Sequence, residues 1–304
     1  MGRTLVIHPG ALGDVLLAIP ALRGLRASAP DSALVLAAQP RLGQLLVSLG
    51  VVDEALDFEA LGLAAMFAGD VAGGGPVEIR EAGRVVSWFG SGDETFVRSL
   101  RAVKPAAVVA LPSSGHTLVW QHLRRTLNLP AAGDAESIRL APALLDAGRA
   151  VLAEAGWDGT TPLVLLHPGA GSAAKRWPVE GFAAVSSGLR ARRPVTLALH
   201  EGPADAEAVT DLRARLAVPA LRLDQPPLPV LAGVLGQAAL YLGNDSGVSH
   251  LAAAVGAPSV VPFTEALRAW QPWAPGARVV TVSTRTVRAV DLAAVEDAVC
   301  ATIA

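Results

Sequence analysis

The tetrapeptide His-Pro-Gly-Ala occurs twice in this chain, at 8–11 within "TLVIHPGALGDVLLAIPAL" and at 167–170 within "PLVLLHPGAGSAAKRWPVEGF". Each copy follows a short apolar run and precedes a helical pattern. In the first copy Pro9 and Gly10 turn the chain, Gly13 admits a close approach of ligand or backbone, and Asp14 stands at the start of the helix. A carboxylate there can cap free amides and complement the helix dipole. Exposed in a cleft, it can also take a proton as a general base. The two roles are compatible. His8 reads as a satisfied strand-end histidine rather than a catalyst.

The second copy carries more chemistry. Gly169 and Gly171 leave backbone amides open, Ser172 adds a hydroxyl, and Lys175 and Arg176 place positive charge before Trp177-Pro178. Pro178 suits the first turn of the helix after it. A Gly/Ser loop with cations at a helix N-terminus suits a phosphate; the plainer alternative is a solvated Lys-Arg pair beside a packed Trp. Neither the Gly-x-x-x-x-Gly-Lys-Ser/Thr order nor Gly-x-Gly-x-x-Gly is present. A third stretch, "LYLGNDSGVSHLAAAVGAPSVVPF", runs a buried strand into Gly243-Asn244-Asp245-Ser246-Gly247 and then a small-residue helix bearing His250. Amides, a hydroxyl and an imidazole gather at one corner, which suits an anion. Asp245 repels phosphate, so a hydroxyl-rich group such as a sugar is its expected contact. The plainer alternative is a turn capped by Asp245, with His250 packed on the helix face.

The elements that must position these residues alternate along the chain. Strands are expected at Thr4–Ile7, Ala33–Ala37, Arg84–Trp88, Ala107–Leu111, Leu163–Leu166, Val195–Ala198, Ala220–Leu223, Leu240–Leu242 and Ser259–Val261. They are apolar on both faces, as strands covered by helices on both sides are. Helical patterns lie between them, such as Asp14–Ala27 and the C-terminal "VDLAAVEDAVCATIA". Alternation of this kind implies parallel βαβ sheets. The pattern restarts, which predicts two doubly wound Rossmann-like domains, 1–140 and 141–304, facing each other across a cleft. Ligands of such sheets bind beyond the carboxyl ends of the strands, where both His-Pro-Gly-Ala corners fall.

Composition bounds the rest. The 304 residues are 52% hydrophobic and 17% charged, with a formal net charge of −2, so no basic footprint asks for nucleic acid. A single cysteine, Cys300, rules out an internal disulfide framework or a cysteine-based zinc cluster. The N-terminal apolar run is too short for a signal peptide, and no uninterrupted apolar stretch is long enough for a spanning helix. A soluble, cytoplasmic protein is expected.

Taken together, "GALGDVLLAIPALRGLRASAPDSALVL", "HPGAGSAAKRWPVEGFAAV" and "GNDSGVSHLAAAVGAPSVVPF" resemble the three signatures of glycosyltransferase family 9, the heptosyltransferase-like enzymes of bacterial surface-polysaccharide synthesis. The resemblance spans both halves in the right order. It implies the GT-B architecture, with the nucleotide-sugar donor in the C-terminal domain and the acceptor in the N-terminal one. It also implies inverting transfer without a metal or other cofactor. By the same resemblance Asp14 is the base that deprotonates the acceptor hydroxyl, and Lys175 neutralises the departing diphosphate. Gly171 and Ser172 contact phosphate, and Asp245, Ser246, Gly247 and His250 hold the donor's sugar and diphosphate. Asp205 matches the ribose contact, with Glu207 as the alternative, and the loop at Pro226 falls where the adenine would lie. The implied donor is ADP-heptose and the implied acceptor a lipopolysaccharide-core or other envelope glycan, reached at the inner membrane's cytoplasmic face. After Phe263 the chain departs from the family's Gly-Pro-Thr-Asp-Pro and reads "FTEALRAWQPWAP". Two other classes share the architecture: a nonhydrolysing sugar-nucleotide epimerase, which would need several acidic residues in its cleft, and a noncatalytic nucleotide-sugar binding protein.

Overall fold

The computed structural model describes residues 2–111, 113, 115, 117–130 and 136–303. The chain forms two compact units, Met1–Asp134 and Ala135–Ala304. The first holds strands β1 (Gly2–Ile7), β2 (Ser32–Ala38), β3 (Glu54–Asp57), β4 (Arg84–Ser87) and β5 (Val108–Val109), in the order β3-β2-β1-β4-β5. The second holds β6 (Leu163–His167), β7 (Thr196–Glu201), β8 (Leu221–Asp224), β9 (Leu240–Gly243), β10 (Ser259–Phe263) and β11 (Ala277–Thr281), in the order β11-β10-β9-β6-β7-β8. All of these pairings are parallel.

Strand order explains why one corner was built twice. In each unit the first strand lies between neighbours to which the chain crosses in opposite directions: β1 between β2 and β4, β6 between β7 and β9. The carboxyl end of such a strand is a topological switch point, where flanking loops diverge and leave a crevice. Both His-Pro-Gly-Ala corners open there.

Each sheet is buried through apolar residues on its strands. In the first unit Leu5, Ile7, Val35, Ala37 and Val85 pack with Phe96 and Leu100; in the second Val164, Leu166, Leu197, Leu240 and Val260 pack with Trp177 and Phe182. Ile138 N–H donates to the Ala254 carbonyl at 2.6 Å, which anchors the segment before Pro142 on the second unit. Among the described residues no helix is long and apolar enough to cross a membrane.

Several elements differ from those the sequence pattern predicts. The helix expected over Asp14–Ala27 is two, Leu12–Leu17 and Ile19–Ser28, because Pro20 has no N–H to continue the ladder and falls in the first turn of the second. Strands β3 and β11 are not anticipated by the pattern. Both are edge strands with exposed positions, so neither carries a continuous apolar run. The expected strand Ala107–Leu111 shrinks to Val108–Val109, paired on one side only, and Leu111 is exposed.

Candidate active site

In the second unit, every sequence-selected residue lies on or just beyond the carboxyl end of a strand. After β6 the chain continues through His167-Pro168-Gly169 to a 3₁₀ turn, Ala173–Lys175, and then to helix Val179–Arg192, with Pro178 at the cap position just before that helix. Gly171 and Ser172 are exposed in this loop. After β9 the chain runs through Asn244 and Asp245 into helix Gly247–Ala254, and it is Ser246, rather than Asp245, that caps the helix by accepting the Ser249 N–H.

Lys175, Asp245 and His250 come together. Lys175 Nζ lies 3.0 Å from Asp245 Oδ2, with the lysine about a third exposed and the aspartate almost fully buried. His250 is buried and its Nδ1 has no hydrogen-bond partner. Burial, helped by the nearby Lys175 charge, pushes its pKa down to about 4, so the imidazole is neutral at pH 7. The cluster therefore brings together a tethered cation, a neutral imidazole and the amino end of a helix, groups of the kind that favour an anion.

Asn244, to which the sequence alone assigns no role, is the staple of this site. It is fully buried; its Oδ1 accepts the Trp177 N–H at 2.9 Å and its Nδ2 donates to the Pro168 carbonyl at 2.8 Å. One side chain thus holds both ends of the Lys175 loop against β9. Its importance depends on β6 pairing with β9, which places His167 opposite Gly243; local sequence does not show that. Below it, the buried Tyr241 hydroxyl lies 2.9 Å from Ser249 Oγ, which donates to the Asn244 carbonyl. Burial raises the Tyr241 pKa, keeping it a neutral phenol.

Asp205 belongs to a neighbouring group. It is buried, and its Oδ2 accepts the Gly202 N–H at 3.0 Å and lies 3.9 Å from His167 Nε2. A Cβ on Gly169 would stand 2.0 Å from Asp205 Oδ1, so the third letter of the second motif must be glycine to admit this carboxylate. Glu207 is exposed on helix Ala206–Arg215. Pro226 is half-buried just beyond β8, after Gln225, whose φ is +45°.

In the first unit the corner is smaller. Asp14 is half-buried in the first turn of helix Leu12–Leu17, and its Oδ2 accepts the Ala11 N–H at 3.2 Å. It is therefore a first-turn acceptor, not the N-cap residue. His8 Nδ1 accepts the Gly10 N–H at 3.4 Å, which leaves Nε2–H to donate to the Asp14 carbonyl at 3.2 Å. Burial lowers the His8 pKa, with Asp14 opposing. The Trp88 ring meets the imidazole edge-on at 5.6 Å. Both ring nitrogens of His8 are thus used within the corner itself.

The family model of glycosyltransferase family 9 (heptosyltransferase) matches residues 113–294, more than half of the chain. The chain is 19% identical to the Escherichia coli ADP-heptose LPS heptosyltransferase II structure, covering 99% of this chain and 98% of that one with a TM-score of 0.78. A glycosyl transferase family 9 structure from Veillonella parvula gives 19% identity, 99% and 95% coverage and a TM-score of 0.77. The E. coli heptosyltransferase WaaC with ADP gives 17% identity, 99% coverage of both chains and a TM-score of 0.68. Compared by sequence alone with curated proteins, the chain matches none. The fold is GT-B-like, an α/β fold with two parallel sheets.

Proposed function

This chain belongs to glycosyltransferase family 9, and on that premise we propose that it moves a sugar, heptose from ADP-heptose first, to a hydroxyl of a lipopolysaccharide-core or other cell-envelope glycan. Transfer inverts the anomeric carbon and uses no metal ion. The observation that carries the reading is the Lys175–Asp245–His250 cluster at the amino end of helix Gly247–Ala254. It is built for a leaving group whose negative charge grows in the transition state. That two similar structures are an ADP-heptose enzyme and an ADP complex supports an adenine nucleotide here.

In the proposed step the acceptor oxygen attacks the anomeric carbon while Asp14 takes its proton. The bond from that carbon to the β-phosphate oxygen breaks, and its electron pair leaves on the diphosphate. Lys175, tethered by Asp245, and the free amides at Gly247 and in the Gly171–Ser172 loop receive that charge. No protein nucleophile is required, so one carboxylate in the first unit suffices. Asp205 accepts from the donor's ribose hydroxyls, and the base lies near Pro226.

The test is binding before chemistry. Thermal stabilisation by ADP, UDP, GDP and ADP-heptose is compared for wild type and Lys175→Ala, each against its own ligand-free state. A ligand at 100 times its Kd adds about 2.7 kcal/mol to the native state. Selective stabilisation by the adenine compounds, lost in the variant, is the expected result. A response to UDP alone points to another donor or to the epimerase class, and no response to any nucleotide overturns the reading in favour of a noncatalytic protein.

A further inference from the structure

Beneath the Gly169 corner lie two imidazoles to which the transfer step assigns no part. His167 ends β6, and His200 lies next to the end of β7, the strand that pairs with it. Both are buried, as is Asp205, which comes after β7. His167 Nδ1 and His200 Nδ1 are 3.1 Å apart. Two nitrogens at that distance need one proton between them, so one ring donates and the other accepts. Burial lowers the pKa of both rings, and each is neutral at pH 7.

Two neutral arrangements remain. If His167 carries its proton on Nδ1, its bare Nε2 lone pair faces the Asp205 carboxylate at 3.9 Å. If His200 carries the shared proton, His167 Nδ1 accepts and its Nε2–H faces the carboxylate instead. The second arrangement turns the His167 Nδ1 lone pair toward the His200 carbonyl at 3.3 Å. A carbonyl bears only a partial charge, whereas the carboxylate bears a full one in a buried setting where charge is weakly screened. The carboxylate decides.

We propose that His200 and His167 form a two-imidazole relay, His200 Nδ1–H to His167 Nδ1 and His167 Nε2–H toward Asp205 Oδ2, a charge–dipole contact at 3.9 Å that steadies the Asp205 carboxylate as the hydroxyl acceptor for the bound nucleoside. The inference rests on the proposed contact between Asp205 and the donor's ribose. His167 and His200 are positioning residues. They act through Asp205, whose Oδ2 is occupied by the Gly202 N–H and whose Oδ1 lies against Gly169.

The test begins without ligand. Nitrogen-15 correlation spectra of the histidine side chains in the full chain, assigned with His167→Gln and His200→Gln, report tautomers at pH 7. His200 is expected as the less common Nδ1–H form and His167 as Nε2–H. Finding His167 as Nδ1–H, or either ring charged, overturns the relay. Should His167→Gln not fold, Asp205→Asn replaces it: without the carboxylate charge, His167 is expected to change to the Nδ1–H form, and an unchanged tautomer overturns the argument. Calorimetry with ADP and with inorganic pyrophosphate then reads the consequence. His167→Gln is expected to weaken ADP roughly three- to tenfold, the scale of one ordinary hydrogen bond, and to leave pyrophosphate unchanged. It adds nothing in an Asp205→Asn background. Equal loss of ADP and pyrophosphate makes His167 a mere support of the loop and overturns its link to Asp205. Wild-type chain that shows both tautomers but binds no adenine nucleotide sinks the ADP reading and leaves the relay standing.

Discussion

At the first His-Pro-Gly-Ala corner the imidazole turns back on its own turn: His8 takes the Gly10 N–H and gives its proton to the Asp14 carbonyl. At the second it reaches outward, to His200 on the next strand and to Asp205 beyond it. The third letter behaves likewise. A Cβ on Gly10 would meet His8 and Asp14 of its own corner at 2.8 and 2.9 Å, whereas one on Gly169 would meet Asp205, which arrives from β7. The sequence difference lies in the distance to the next helix. After Ala11 the helix starts at Leu12, so the corner closes on itself, with Asp14 in the helix's first turn. After Ala170 the chain continues through a 3₁₀ turn before its helix begins at Val179, and the longer loop is stapled by Asn244 from β9. The motif builds the turn. The length of the segment between motif and helix decides whether the corner closes on itself or opens into a longer loop held by a neighbouring strand.

Asp14→Asn breaks the first corner's proposed role most severely. Turnover is expected to fall about 10²- to 10⁴-fold, the usual worth of a general base, while ADP affinity stays at the wild-type value. Steady-state transfer assays with calorimetry on the same protein check this. Turnover within threefold of wild type would reduce Asp14 to a helix-turn acceptor and make the two corners structural equivalents.

Acid should separate the units next. The second holds three buried histidines whose pKa values burial depresses, His167, His200 at about 3 and His250 at about 4, against His8 among the described residues of the first. A depressed histidine binds more protons unfolded than folded, so the stability it supports is full above the ordinary value of 6.5 and is lost as pH falls toward the folded value. Hydrogen exchange measured from pH 7 to 4 is expected to show the second unit weakening first. Parallel loss in both units would mean that the second corner's buried imidazoles carry no special cost.

Lys175→Ala leaves the Asp245 carboxylate buried without its cation. Because the lysine is about a third exposed, the cost falls between the values for surface and buried pairs, about 1–3 kcal/mol by chemical denaturation. Adding Asp245→Asn should recover part of it. The paired glycines make a related comparison. Gly169→Ala meets a carboxylate pinned by Gly202, so an overpacking cost of about 1–3 kcal/mol is expected, with reduced ADP affinity. Gly10→Ala meets side chains of its own corner, nearly an ångström farther off, and should cost less and leave ADP binding alone. Equal costs would remove the distinction between a self-contained corner and a shared one.

Legibility in the sequence divides along the same line. Strands buried on both faces, such as Leu163–His167, announce themselves as apolar runs, and so does the repeat of the α/β pattern. The edge strands Glu54–Asp57 and Ala277–Thr281 have exposed positions and leave no such run. Lys175, Asp245 and His250 stand out because polar groups at strand ends, flanked by glycines, are unusual in an otherwise apolar pattern. Asn244, His200 and Tyr241 do not, since their roles come from which strands pair and in what register. His200 is an ordinary strand residue until β7 is laid beside β6. Asp205 is legible only as an acidic residue near a glycine; that its carboxylate fills the place of a Gly169 side chain is a fact of tertiary structure.

The smallest expected effect makes the finest distinction, because it exchanges the same residue at the same place in both motifs. His8→Gln can restore either the bond from Gly10 N–H or the one to the Asp14 carbonyl, but one amide cannot span both ring positions, and the edge-on contact with Trp88 is lost. About 0.5–1.5 kcal/mol of stability should go with the missing bond. His8 holds Asp14 through the backbone carbonyl, so its loss loosens the placement of Asp14. Turnover is therefore expected to fall a few-fold, and ADP affinity, which the proposal assigns to the other unit, should not move. His167→Gln should show the reverse pattern, weaker ADP with the acceptor's KM unchanged. If both variants lower ADP affinity alike, the first corner also serves the donor, and a base in one unit with a cradle in the other is the wrong division of labour.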